Sequence, residues 1–501
     1  MIKNFISLKK IIVFLFILLL FKPTWILNID SIGDDELSYW LHASTIAFDF
    51  DLNYEKDYDI KESWTFNDNN VPSHPPGSGY LSSIFVYFFD LFFERDFDVT
   101  SDRLNPVGSY WIIGYFFSTL FYIFLGFYFL RKALQSISKN EKVINLVLIL
   151  TFMSSLSNYV LNRFMLSHPI EFLLVCLILF TITKKKINFY LLVTLFFLLS
   201  ITRPTTFVIT LFLIPIFIKN LKKISLNKLN VSFLLLLIAI YIYISKTLYN
   251  SFFIFTNTYR EDPIDFIFSD ASIIDIILDI PSLLISPSMG LIFISPIIFL
   301  SIVVMLSNIN KINIFELLII FSGLAIVLIW QGKDVTFGQR FLIGQLPIAS
   351  FIFVKYYKYN KYINLYMWIS LIYSYFGNLY FYSSELLTLS PGKNLFGQNS
   401  QLAAENYFFN LPIELLDFNV HLSMLSRTIF FIIIVKIFNF EKIIELIENF
   451  GIIKISEDRY SKLIEYTKIY EEYSNPKFIL LCFLLVLFSL FMTNIFTKQR
   501  E

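Results

Sequence analysis

The chain has 501 residues, 56% of them hydrophobic and only 16% charged, whereas soluble domains carry about 25% charged residues. Its apolar residues fall in runs of about 16–22, the length that crosses a hydrocarbon core roughly 30 Å thick, which excludes an ordinary soluble domain. A net charge of +1 leaves no nucleic-acid footprint, and the two cysteines, Cys176 and Cys482, both lie inside apolar runs and exclude a disulfide framework.

Lys3, Lys9 and Lys10 precede the first apolar run, which places the N-terminus in the cytoplasm by the positive-inside rule. No small-residue cleavage site follows, so the run reads as an uncleaved first span, 11–28. Residues 29–107 form a long polar outer loop. Within it, 77–93 is apolar but short and ends among acids, which predicts a helix lying in the membrane interface. Spans follow at 109–130, 143–161, 169–183, 187–202, 204–219, 232–249, 283–306, 314–330, 341–355, 362–382, 425–438 and 477–496. Lysine and arginine clusters, such as Arg131-Lys132 and Lys184-Lys185-Lys186, mark the cytoplasmic ends. Outer loops are expected at 250–282, 331–340 and 383–424. The mixed-charge stretch 439–476 is expected as a cytoplasmic amphipathic segment, leaving a short outer tail after the last span. The fold class expected is thus an all-α polytopic membrane protein with about 11–13 transmembrane helices, the shorter runs setting the range.

This topology puts all four histidines, His42, His74, His168 and His421, on the outer side, together with Arg203, Arg260, Lys333 and Arg340. Three stretches there can carry chemistry. The first is Asp34-Asp35-Glu36, between Gly33 and a helical pattern over 37–48. Acids in a first turn complement the helix dipole, and Asp34 is the expected N-cap. Carboxylates this close to a membrane core are also costly and usually functional, with Tyr39 and His42 following Asp35 at i+4 and i+7 toward one cavity. The second is His74-Pro75-Pro76-Gly77, a rigid turn that presents a histidine. The third is the loop from Gln331 through Lys333 and Gly338 to Arg340, where the arginine either snorkels or binds an anion through its planar fork. Arg203, before Pro204, has the same two readings. Pro287, Gly290 and Pro296 predict a broken helix in the span 283–306. No metal-binding or nucleotide-binding motif is present; a divalent metal on Asp35 or Glu36 with a histidine is the one cofactor left open.

Together these residues resemble the GT-C fold glycosyltransferases, in particular the protein O-mannosyltransferase and lipid A aminoarabinose transferase superfamily (glycosyltransferase family 39-like). Asp35-Glu36 with Tyr39 is similar to that family's acidic pair at the start of the first outer loop. His74-Pro75-Pro76-Gly77 is similar to its Pro-Pro turn before an interfacial helix. Arg203-Pro204, Gly290-Leu291 with Ser295-Pro296, and Phe337-Gly338-Gln339-Arg340 are similar to further stretches of uncharacterised bacterial members. Where the aminoarabinose transferases have a lysine before Pro-Pro, this chain has His74. The Trp-Trp-Asp-Tyr-Gly motif of oligosaccharyltransferases is absent.

The resemblance covers residues 1 to about 355 and implies a GT-C-like transmembrane catalytic module there, with 356–501 as a C-terminal membrane region. It implies transfer of a sugar from a polyprenyl-phosphate carrier in the bilayer to an acceptor hydroxyl on a lipid, glycan or protein. Asp35 is then the expected general base, Glu36 or Asp34 its helper, and Tyr39, His42, His74, Arg203, Lys333 and Arg340 the substrate and phosphate ligands. The implied location is a bacterial inner or plasma membrane with an extracytoplasmic site. Two other readings compete. One is a polyprenyl-linked glycan polymerase or ligase, which needs arginine in a late outer loop where 383–424 has none. The other is a transporter or lipid flippase, which needs charges at mid-span.

Overall fold

The computed structural model describes residues 8–23, 25–26, 32–54, 71–93, 106–184, 186–217, 227–254, 290–330, 339–387, 428–430 and 475–497, with a few isolated positions between. Among these residues the chain is helical and no strand occurs. Helix α1 (Leu8–Leu20) is followed by α2 (Asp34–Ser44), a π-helical turn (Thr45–Asp49) and α3 (Gly77–Phe93). Next come α4 (Tyr110–Ile137), α5 (Glu141–Met153), α6 (Ser155–Leu161), α7 (His168–Thr183), α8 (Phe189–Thr202), α9 (Pro204–Thr210), α10 (Leu213–Ile216) and α11 (Lys228–Tyr249). After α12 (Pro296–Leu306) and α13 (Ile314–Trp330), a 3-10 segment (Arg340–Gln345) leads into α14 (Leu346–Tyr356), then α15 (Lys361–Leu387) and α16 (Asn475–Thr497).

Local chemistry sets many of the helix starts. Ser109, Asn140, Asn188 and Asn227 each accept a hydrogen bond from the backbone N–H three residues on, which satisfies an otherwise orphaned donor. Pro204 and Pro296 open α9 and α12, where a missing N–H does no harm. Helix α2 differs from expectation. Gly33 is its N-cap, without a side-chain cap, and the helix starts at Asp34 itself. Asp35 and Glu36 are drawn to arginines on other elements instead of closing a capping box.

Helix α4 is the central post. Trp111, Tyr115, Phe116 and Phe127 are fully buried on it. Tyr115 and Thr119 donate to the carbonyls of Met165 and Phe164, tying α4 to the turn before α7. Phe127 stacks against Phe172 of α7 and meets Phe496 of α16. Helix α3 packs on the other side, where Tyr122 donates to the Leu81 carbonyl and Ser118 to Ser82.

Three helices among the described residues are long and apolar enough to cross a membrane: α4, α11 and α16. The bent pair α5–α6, turned by 60° at Ser154, makes a fourth if it counts as one span. Hydropathy reads several other spans as continuous where the backbone is broken. In 283–306 the break is one that the prolines and glycine predict. Leu291 and Ile292 donate their N–H groups to the carbonyls of Leu283 and Leu284, eight residues earlier, a pairing that no continuous α-helix contains, and Pro296 then starts a helix of 11 residues. Proline has no N–H and clashes with the preceding turn, so a run holding Pro287 and Pro296 cannot stay one helix. The break at Arg203-Pro204 falls where the sequence places it.

The last helix runs opposite to the expected direction. Lys477 near its start donates to the Gly108 carbonyl, at the start of α4. Near its end, the Ile495 carbonyl accepts from Arg131, at the end of α4, and Phe491 packs on Phe124 between them. Helices α16 and α4 are therefore parallel, and Thr497 lies at the same end of the bundle as the α4–α5 turn. The expected outer tail is thereby corrected. A buried arginine needs carbonyl and carboxylate partners, and Arg131 collects Ile495, Asn145 and Glu141 at one end of the bundle. The segment 439–474, expected to be cytoplasmic, lies almost entirely outside the described residues.

Candidate active site

The first turn of α2 splits its two described carboxylates between two arginines. Glu36 is fully buried and accepts both arms of Arg163, from Nε at 2.5 Å and Nη2 at 2.8 Å. This bidentate geometry fixes the carboxylate in place. Asp35 turns the other way. Its Oδ2 accepts from Nη1 of Arg340 at 2.7 Å, and its Oδ1 lies 3.6 Å from Nε2 of His74. Burial alone would raise the Asp35 pKa. The charges of His74, Arg340 and Arg163 overcome it and hold the carboxyl at about 2. At neutral pH, where the His74 imidazole is uncharged, the two arginines carry that effect.

His74 is held at every polar backbone atom. Its N–H donates to Ser38 Oγ of α2 at 3.2 Å. Its carbonyl accepts from Tyr249 Oη at the end of α11 and from Nε2 of His42, both at 2.8 Å. Because a carbonyl only accepts, His42 carries its proton on Nε2, and its Nδ1 accepts from Tyr54 Oη at 2.6 Å. The His74 ring lies 5.1 Å from that of Tyr39, and its Nδ1 is 3.2 Å from Ser73 Oγ. Burial lowers the His74 pKa, Asp35 pulls it up, and Arg203 and Arg340 push it down, to about 4. Burial lowers His42 further, to about 3.

Below this layer, α7 contributes a fully buried carboxylate, Glu171. It accepts from Thr206 Oγ1 and lies 3.0 Å from His168 Nδ1 and 4.0 Å from Nε of Arg203. Gly344 in the 3-10 segment presses on it, since a Cβ there would meet the Glu171 carboxylate and Thr206. That close approach carries Arg340 over the top. Phe341 lies between the two guanidinium groups, 5.0 Å from Arg203 and 5.3 Å from Arg340. Glu36 and Glu171 are completely enclosed, but Asp35, His74, Arg203 and Arg340 keep 12–16% of their side-chain surface exposed. Arg163, clamped on Glu36, is more exposed still at 28%, so the reachable wall of the site is one carboxylate, one imidazole and three guanidinium groups, of which Arg163 is committed to Glu36.

The structure brings Asp35, Glu36, Tyr39, His74, Arg203 and Arg340, all singled out in the sequence, into one neighbourhood. Tyr39 donates to Ser167 Oγ at 3.1 Å. His42 stands apart from its expected role as a substrate ligand, since both ring nitrogens are spent inside the protein, one on the His74 carbonyl. The Asp34 side chain, Lys333 and His421 lie outside the described residues. Sequence reasoning passed over Arg163 and Glu171. Each carried a signal: Glu171 is a lone carboxylate in the apolar run 169–183, and Arg163 is a cation at the outer end of 143–161, against the positive-inside pattern. Among the described residues no three His, Cys, Asp or Glu side chains converge as a metal site requires. Asp35 and Glu36 are engaged by arginines instead. No family model, curated protein or solved structure matches the chain.

Proposed function

We propose that the protein is an integral-membrane glycosyltransferase with a GT-C-like catalytic module. In this reading it moves a sugar from a polyprenyl-phosphate carrier to an acceptor hydroxyl at the outer face of the membrane. The observation that carries this reading is the composition of the exposed wall: an ionised carboxylate, Asp35, beside a neutral imidazole and the arginines Arg203 and Arg340, with Arg163 held on Glu36 next to them, in a helical scaffold rich in apolar helices. Single-displacement glycosyl transfer needs such a set. The acceptor oxygen attacks the anomeric carbon and loses its proton. The bond from that carbon to the phosphate oxygen breaks, and the carrier phosphate leaves with one more negative charge. Asp35 and His74 together face the place where the acceptor hydroxyl must be activated. Arg203 and Arg340 face the charge that grows on the phosphate, in a dry setting where such stabilisation is largest.

The reading is tested by measuring polyprenyl phosphate released by the purified protein in lipid, from a panel of polyprenyl-phosphate sugars with cell-envelope extract as acceptor. Release that falls by about 10²–10⁴-fold in Asp35→Asn, with the variant folded, supports it. Absence of release from every carrier by folded wild-type protein sinks it.

A further inference from the structure

The sequence expectation makes Asp35 the group that keeps the acceptor's proton, and the geometry argues against that. Oδ2 of Asp35 is committed to Arg340 at 2.7 Å. A carboxylate clamped by a guanidinium is a weak base, whereas among the described residues no cation is hydrogen-bonded to the imidazole beside it. Asp35 Oδ1, the oxygen not bonded to Arg340, and His74 Nε2 lie 3.6 Å apart, and both side chains are partly exposed. That gap is too wide for a strong direct hydrogen bond and suits one oxygen at the apex, within about 2.8 Å of both. The backbone of His74 is fixed by Ser38, His42 and Tyr249, which come from two different helices. A turn that served only to enter α3 would not need its histidine held from three sides.

We propose that His74, not Asp35, is the catalytic base: its Nε2 takes the acceptor hydroxyl proton while Asp35 orients that hydroxyl and stabilises the resulting imidazolium. The assignment rests on the glycosyltransferase reading above. In the step, the acceptor O–H bond breaks toward Nε2. The oxygen forms its bond to the anomeric carbon, and the electron pair of the old bond leaves on the carrier phosphate. Nδ1 of His74 holds its own proton against Ser73 Oγ, 3.2 Å away, which leaves Nε2 with its lone pair free for the hydroxyl.

The same geometry couples sugar-donor binding to the base. The groups facing His74 are Asp35 and Tyr39 of α2, Arg340 of the 3-10 segment, Arg203 between α8 and α9, Ser73, and His42 and Tyr249 at its carbonyl. The two arginines hold the imidazole in its neutral form and depress its basicity, with burial the larger cause. A carrier phosphate seated on Arg203 and Arg340 offsets their charge. His74 then becomes a stronger base only when the sugar donor is in place, so the hydroxyl is activated next to its target and not in an empty site.

The test compares wild type, Asp35→Asn, His74→Gln and His74→Ala in the polyprenyl phosphate release assay, with and without added imidazole. The inference expects His74→Gln to lose about 10²–10⁴-fold, and His74→Ala to lose as much and recover at least tenfold with imidazole, a rescue that a merely structural histidine would not show. Release by His74→Gln within threefold of wild type, with Asp35→Asn inactive, returns the base to Asp35 and overturns this assignment alone. Loss in both His74 variants without imidazole rescue of the folded His74→Ala protein also overturns it. No release by wild type overturns the transferase reading and this assignment together.

Discussion

Asp35 and Glu36 are neighbours in sequence with opposite fates. Glu36 is enclosed and clamped on both oxygens by Arg163, so it orders the first turn of α2 and holds it to the end of α6. Asp35 is partly exposed, with one oxygen on Arg340 and the other facing His74. The difference follows from helix geometry, since successive side chains point about 100° apart and meet different walls. The titration of this pair gives a sharp expectation. His74 accepts a proton only while neutral, so transfer falls as pH drops through its pKa. In free enzyme that value is about 4, so kcat/KM for the sugar donor should stay level from neutral pH and decline near pH 4. In the donor complex the charges of Arg203 and Arg340 are offset, so the acid limb of kcat should lie at higher pH than that of kcat/KM. Coincident limbs would show that the phosphate does not engage those arginines. A limb near pH 2, where Asp35 titrates, would make Asp35 the base.

At the scale of elements, the site exists because α2 and α3 cross at contact distance. A Cβ on Gly79 would lie within 2.5–2.9 Å of His42 Cβ, the Tyr39 carbonyl and the Ala43 nitrogen, all in α2. That crossing sets the height of the turn 71–76, which lies immediately before α3, and therefore the gap between His74 and Asp35. Gly79→Ala should push the two helices apart. Overpacking of this kind costs about 1–3 kcal/mol, and a catalytic group moved by about 1 Å can lose roughly 10²-fold in rate. Thermal unfolding in lipid and the release assay measure the two effects separately; an unchanged release rate would mean that the crossing does not position His74. The Pro-Pro turn and the apolar run 77–93 were legible in the sequence, because proline geometry and an unbroken helical pattern are local properties. The three hydrogen bonds that fix His74 were not legible, because their partners lie 36, 32 and 175 residues away.

Across the whole molecule, the direction of the last helix separates what hydropathy reads from what packing decides. Span counting alternates sides by parity, so one broken segment, such as the bent pair α5–α6, can shift the assignment of every later one. Contacts correct this, since α16 lies parallel to α4 with Ile495 on Arg131. In protein whose Cys176 and Cys482 are replaced by alanine, single cysteines in place of Lys139 and Thr497 should react with a membrane-impermeant maleimide from the same side, and one in place of Pro476 from the opposite side. Labelling of the Lys139 and Thr497 positions from opposite faces would refute the parallel arrangement. The sequence by itself determined that the chain is helical, with apolar runs long enough to cross a membrane, and where several helices begin, and it singled out Asp35, His74, Arg203 and Arg340. Apolar run length, capping residues and charge asymmetry act locally and can be read along a chain. Only the tertiary structure decided which carboxylate is locked and which is exposed, that Glu171 and Arg163 support the site, and which way the last helix runs. Those are pairings between distant residues, and burial makes a charged group choose one partner from many that the sequence offers.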